Sequence, residues 1–237
     1  MSSETKPSPT RREQRVSGIV GIVILVAIAA MGVPVLIKQN KAAARTKALG
    51  NIRQIGMSLF EFGSDYGRFP DDATALKIPE KQRAGYKLTG DHSNDYFCQL
   101  IVVGLKSEQP FWCKTSLSPK KPDDDYSPAK ALQAGEVGYS YIMRASGIGQ
   151  SSSGDPSRPV VVAPSRGSAA DWTFDWDAYE GRAIVLKLDN SAAAHNIDFE
   201  TGFIMTGVKG RFIHTTGADT GWGGMTPVLK APATNGK

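Results

Sequence analysis

One apolar run limits what this chain can become: Val16 to Ile37 holds no charged side chain in about 22 residues. As a helix rising 1.5 Å per residue, such a run is roughly 33 Å long and matches the hydrocarbon core of a bilayer. It reads as a transmembrane helix over residues 16–37. Arg11, Arg12 and Arg15 ahead of it, with Ala27-Ile28-Ala29 inside it, also match the layout of a cleaved secretory signal. The run continues well beyond that small-residue site, which favours an anchor. Gly32 and Pro34 near its far end bend such a helix without ending the span.

Charge separates the anchor from the rest of the chain. There are 28 Lys and Arg against 23 Asp and Glu. Nine of the basic and two of the acidic residues precede residue 54, so 19 basic face 21 acidic beyond it. The positive surplus therefore belongs to the membrane flanks, and no nucleic-acid partner is implied for the remainder. Basic residues on both sides of the span leave the positive-inside rule undecided.

Residues 1–15 are polar and aperiodic, and they read as a flexible tail. Beyond the span, Ala44, Ala48, Ile52, Ile55, Leu59 and Phe62 recur every three or four positions, with Lys47, Asn51, Gln54, Ser58 and Glu61 between them. This spacing predicts an amphipathic helix over 38–66 continuing out of the membrane, ended by Gly67 and Phe69-Pro70. Gly50 and Gly56 each cost it about 1 kcal/mol against Ala, so packing must hold it. From residue 71 the pattern changes to short apolar runs between turn residues. Strands are expected at Phe97–Val103, Gly138–Met143, Pro159–Ala163, Ala183–Leu188 and Gly202–Met205, arranged as a meander. The expected fold is thus α+β, a long N-terminal helix packed on a small antiparallel β-sheet domain spanning 67–230, with a flexible tail over 231–237.

Few residues suggest catalysis. His92, His195 and His214 stand apart, without the helical spacing of a zinc site. Gly147-Ile148-Gly149 has the look of a dinucleotide loop, but the Ser, Gly and Pro residues after it through Pro156 would not open a helix. Asp171, Asp175, Asp177 and Glu180 are hard oxygen ligands close enough in sequence for calcium. Interleaved with Trp172, Phe174, Trp176 and Tyr179, they read more simply as a loop that seats aromatics on the core and leaves carboxylates in water; no cofactor other than this calcium is suggested. Cys98 and Cys113 lack metal or thioredoxin spacing, leaving a disulfide or two buried thiols.

The order of segments carries a resemblance. Lys41-Ala-Ala-Ala-Arg45, Asn51-Ile-Arg-Gln-Ile-Gly56 and Asp65-Tyr-Gly-Arg-Phe-Pro70 look like the helix-to-domain junction of prepilin-type proteins of the Verrucomicrobia and Planctomycetes kind. Asp95-Tyr-Phe-Cys-Gln-Leu100, Asp155-Pro-Ser-Arg-Pro159 and Val185-Leu-Lys-Leu-Asp-Asn-Ser191 are similar to their later segments. The chain thereby resembles type IV pilins and type II secretion pseudopilins over most of residues 16–230. It departs from them in lacking the usual cleavage motif and the early glutamate: Gly18 precedes Ile19, and no acidic residue lies between Glu13 and Glu61.

The resemblance implies a bacterial inner-membrane protein with a cytoplasmic N-terminus, a periplasmic domain, and other pilin-like subunits or secretion components as partners. Association through Gly18, Gly21, Leu25 and Ala29 is the expected mechanism, with no enzymatic turnover. The rival expectation is a membrane-tethered domain that binds a ligand or glycan through the loop from Asp171 to Glu180.

Overall fold

The structure is a computed structural model that describes residues 11–167, 171–208 and 211–234, with side chains from residue 36 onward. The chain divides into two compact units, Met1–Lys41 and Ala42–Lys237. Helix α1 runs Arg11–Tyr66. Among the described residues no helix is long and apolar enough to cross a membrane. The expected span lies outside the described side chains except for Leu36 and Ile37, both exposed. Gly18, Gly21, Leu25 and Ala29 lie outside them too.

The second unit is α+β. After α1 come α2 (Asp72–Lys77), α3 (Glu80–Arg83) and α4 (Ser93–Val103), a 3-10 turn at Gln109–Phe111, then strands β1 (Ser140–Met143), β2 (Pro159–Ala163), β3 (Arg182–Lys187), β4 (Ala192–Asn196) and β5 (Val228–Lys230). The sheet order is β4-β3-β2-β1-β5, antiparallel throughout. The first four strands form a meander, in which β1, β2 and β3 lie at expected runs and β4 does not, and β5 returns to the outer edge of β1.

Alternation along the strands divides the core in two. Tyr141, Met143, Val161, Ala163, Ile184 and Leu186 share one cluster with the α1 stripe, where Ala48, Ile52, Ile55, Leu59 and Phe62 are at most 1% exposed. Phe97, Leu100 and Ile101 of α4 join them. Ile142, Val162, Ala183, Val185 and Leu229 face the other way and are covered by Phe174, Ile197, Ile204, Ile213 and Trp222 from the loops. With both faces buried, β2 reads as a continuous apolar run, Pro-Val-Val-Val-Ala. A bulge between Pro159 and Val161 turns both Val160 and Val161 toward the helix side.

Polar contacts fix α1 on this sheet. Tyr139 Oη donates to Ala48 O at 2.8 Å, and Asn51 Nδ2 donates to Trp112 O at 2.7 Å. The helix stops as expected: Gly67, at φ 85°, donates its N–H back to Gly63 O. Gly147 to Gly149 belongs to this junction rather than to a nucleotide site. Gly149 N–H donates to the buried Asp71 carboxylate, and a Cβ there would stand 2.4 Å from Phe69 O.

Four expectations are corrected. Phe97–Val103 is the body of helix α4, not a strand. Asp95 accepts the His92 N–H at 3.2 Å, capping the helix start, and every residue from Ser93 to Ile101 is buried, so tertiary packing outweighs the β-branched run at its end. Gly202–Met205 forms only the isolated bridges Ile197 to Ile204 and Met205 to Phe212. Strands β4 and β5 are additional to the expected set. Residues 231–233, expected in a flexible tail, are held in place: Ala231 O accepts from Ser93 N, Ala233 O from Gly135 N, and Ala233 N donates to Asn94 Oδ1.

Candidate functional site

The face of the sheet away from α1 carries a half-open cavity of about 270 Å³. Strand register builds its floor. Val185 and Lys187 alternate onto this face, Pro159 pairs with Lys187 across the ladder, and His195 pairs with Ala183, which points the same way. One wall is Ser157-Arg158, where the chain enters β2. The other comes from the loop after β4, through Phe212, Thr215, Thr220 and Trp222.

Close contacts join the two walls. Arg158 Nε donates to Gly221 O, and a Cβ at Gly221 would stand 2.4 Å from Ser157 Oγ, so a larger residue there would have to displace the Ser157 hydroxyl. Trp222 is seated by its indole N–H, which donates to Ile213 O at 2.8 Å. Arg211 pairs with Asp219, the carboxylate on this lining. Thr215 Oγ1 accepts the Phe212 N–H at 2.9 Å, and its hydroxyl proton has no acceptor among the described residues.

Lys187 and His195 give the floor its electrostatics. Among the described residues, the Lys187 ammonium has neither a hydrogen bond nor an ion pair. His195 Nε2 is buried without a hydrogen-bond partner. Burial, and then the Lys187 charge, hold the His195 ring below its ordinary pKa against the opposing pull of the Met205 backbone. The ring is therefore neutral near pH 7, able to donate or accept according to tautomer. The cavity thus offers cations, one neutral imidazole, hydroxyl groups and aromatic surface, a combination suited to recognition of an anionic, hydroxylated molecule.

The residues singled out in sequence lie elsewhere. Asp175 Oδ1 accepts from the N–H groups of Asp177 and Ala178, a turn within the loop. Asp171 and Asp177 are exposed, and Glu180 is half-buried at φ 56°. Among the described residues no group of three or more His, Cys, Asp or Glu stands close enough to hold a metal. Phe174 and Tyr179 of this loop are buried in the core, while the exposed Trp176 meets Phe199 edge to face at 5.3 Å.

Cys98 and Cys113 are free thiols, both buried. Of the two readings left open by the sequence, this is the pair of buried thiols: Cys98 Sγ donates to Ala131 O and Cys113 Sγ to Gly138 O. Burial pushes each thiol up to about 12, so neither is nucleophilic near neutral pH. His214 lies among Trp172, Phe203 and Phe212, with its centroid 4.7 Å from that of Phe203.

Sequence reasoning missed the cavity because Arg158, Lys187 and His195 meet only through strand register. One signal was available: a lysine interrupting the apolar run of β3, followed after a turn by a histidine in an alanine-rich segment. Comparison of the chain with protein-family models, curated proteins and solved structures found no match.

Proposed function

We propose that this chain is a pilin-like or pseudopilin-like structural subunit, held in the bacterial inner membrane by residues 16–37 with its β domain on the periplasmic side. It acts by association of its N-terminal helix with the helices of other subunits or of a secretion machine. The observation that supports this is the α1 stripe. From Ala48 to Phe62 one helix face is buried in the core of the domain, within a helix that also contains the uncharged run Val16 to Ile37. An apolar helix surface with no sheet beneath it is covered by lipid or by another helix. Small residues at Gly18, Gly21 and Ala29, beside Leu25, suit close helix packing in a membrane.

Carbonate extraction and crosslinking of membranes through single cysteines at positions 18 to 30 test this reading. Retention in the membrane pellet with intersubunit products at every third or fourth position is the expected result. Quantitative recovery of the full-length chain in the soluble fraction, or a monomer at every position, overturns it.

A further inference from the structure

We infer that the cavity between β3, β4 and the 212–222 loop is a binding site for an acidic sugar, a single pyranose ring bearing a carboxylate. The inference is independent of subunit assembly, since it concerns the sheet face opposite α1. Size sets the first limit: about 270 Å³ lies at the lower end of ligand cavities and suits one hexose-sized ring rather than a cofactor.

Charge sets the second. Of the lining cations, Arg211 is paired with Asp219 and Arg158 is fixed by its Nε on Gly221 O, whereas Lys187 makes no hydrogen bond or ion pair among the described residues and acts on Asp189 and His195 only through its charge. Asp189 in the β3–β4 turn lies close enough that, after its hydrogen bonds with Ser191, the Lys187 charge helps hold its carboxyl below the usual range, yet the two form no ion pair and leave the ammonium open to a ligand. A lysine on the lining of a partly enclosed cavity attracts an anion, and a carboxylate satisfies its ammonium with a charge-assisted hydrogen bond.

The remaining groups fit a ring of hydroxyls better than a simple anion. His195 Nε2, buried and unpartnered among the described residues, calls for a donor or an acceptor according to tautomer, and the Thr215 hydroxyl can donate to an acceptor; a sugar hydroxyl can serve either. Phe212 and Trp222 supply aromatic surface for the ring's C–H face.

Isothermal titration of the full chain in detergent micelles with sodium glucuronate and sodium galacturonate tests the site, with glucose, acetate and inorganic phosphate as controls. At least one uronate is expected to bind, more weakly as salt is raised, while glucose, acetate and phosphate bind at least about tenfold less tightly. Lys187→Ala and Lys187→Glu should each weaken uronate binding by about tenfold or more, and Lys187→Arg should retain it. His195→Gln should weaken uronate binding without creating affinity for acetate. Unchanged thermal unfolding of the variants shows that they fold. Absence of uronate binding overturns the inference, as does affinity unaffected by Lys187→Glu. Acetate or phosphate binding as tightly as uronate would reduce the site to a simple anion site and overturn it equally.

Discussion

Glu108 is a buried carboxyl placed to respond to pH, although no part of its surface reaches solvent. Its Oε1 accepts the Leu132 N–H, while Oε2 has no hydrogen-bond partner among the described residues. Burial raises its pKa to about 7, the Leu132 hydrogen bond works against this, and Glu136, Asp123 and Asp124 add to the rise. The folded value stands above the unfolded one near 4.5, so the native state holds its proton to higher pH. Stability from this residue is therefore full below pH 4.5, declines as pH rises toward 7, and is level above that. Glu108→Gln should flatten the decline and stabilise the protein at pH 8 by on the order of 1 to 3 kcal/mol, read by urea unfolding across pH 4 to 8. A variant with the wild-type pH slope would show that another group governs it. Gly50 and Gly56 of α1 differ in the same local way. A Cβ at Gly50 meets nothing within 4 Å, whereas one at Gly56 would stand 2.2 Å from Asn190 Oδ1 and 3.0 Å from Leu186 Cδ1. Gly50→Ala should gain about 0.5 to 1 kcal/mol by helix propensity, and Gly56→Ala should lose stability because the Asn190 and Leu186 side chains must give way in a packed interface. Equal effects at both positions would contradict this packing.

Among the helices and strands, legibility in the sequence depends on how much of each one's cause is local. The second half of α1 is readable because its apolar positions keep one helical period from Ala44 to Phe62 and polar residues fill the gaps. Its energetic consequence is large. Leu59→Ala should cost about 2 to 5 kcal/mol of domain stability, while Met57→Ala, at a position 58% exposed, should stay within about 0.5 kcal/mol. Similar losses at both would mean that the stripe is not the seat of the packing. Strands β2 and β3 are readable as apolar runs for the same reason that they are buried on both faces. Helix α4 is not: Leu100-Ile-Val-Val103 suits a strand as well as a helix over so short a window, and burial from Ser93 onward decides between them. Strand β4 has almost no β propensity in Ala192-Ala-Ala-His. It forms because Asn190, at φ 62°, makes the tight turn that lays these residues against β3. The cavity inherits that dependence, since Lys187 and His195 share a floor only once this turn has formed.

Across the full chain, the decisive question is whether the domain needs its N-terminal helix to fold or only to be held in place. The unit Ala42–Lys237 contains the complete α1 stripe from Ala48 to Phe62, both faces of the sheet and both hydrophobic clusters. The hydrogen bonds that tie α1 to Tyr139 and Trp112 come from Ala48 and Asn51, both within that unit. The energy that folds the domain is thus available without the first 41 residues, while the apolar run within them has the composition of a bilayer span. Removing residues 1–41 should therefore leave a chain that unfolds cooperatively within a few degrees of the full-length protein and no longer sediments with membranes. Intact near-ultraviolet circular dichroism together with loss of sedimentation is the expected pair of observations. If the truncated chain loses its tertiary signal, the division of labour along α1 is wrong. If it stays folded yet still sediments with washed membranes, a second attachment lies in the β domain, and the anchor assigned to residues 16–37 is not what holds the protein there.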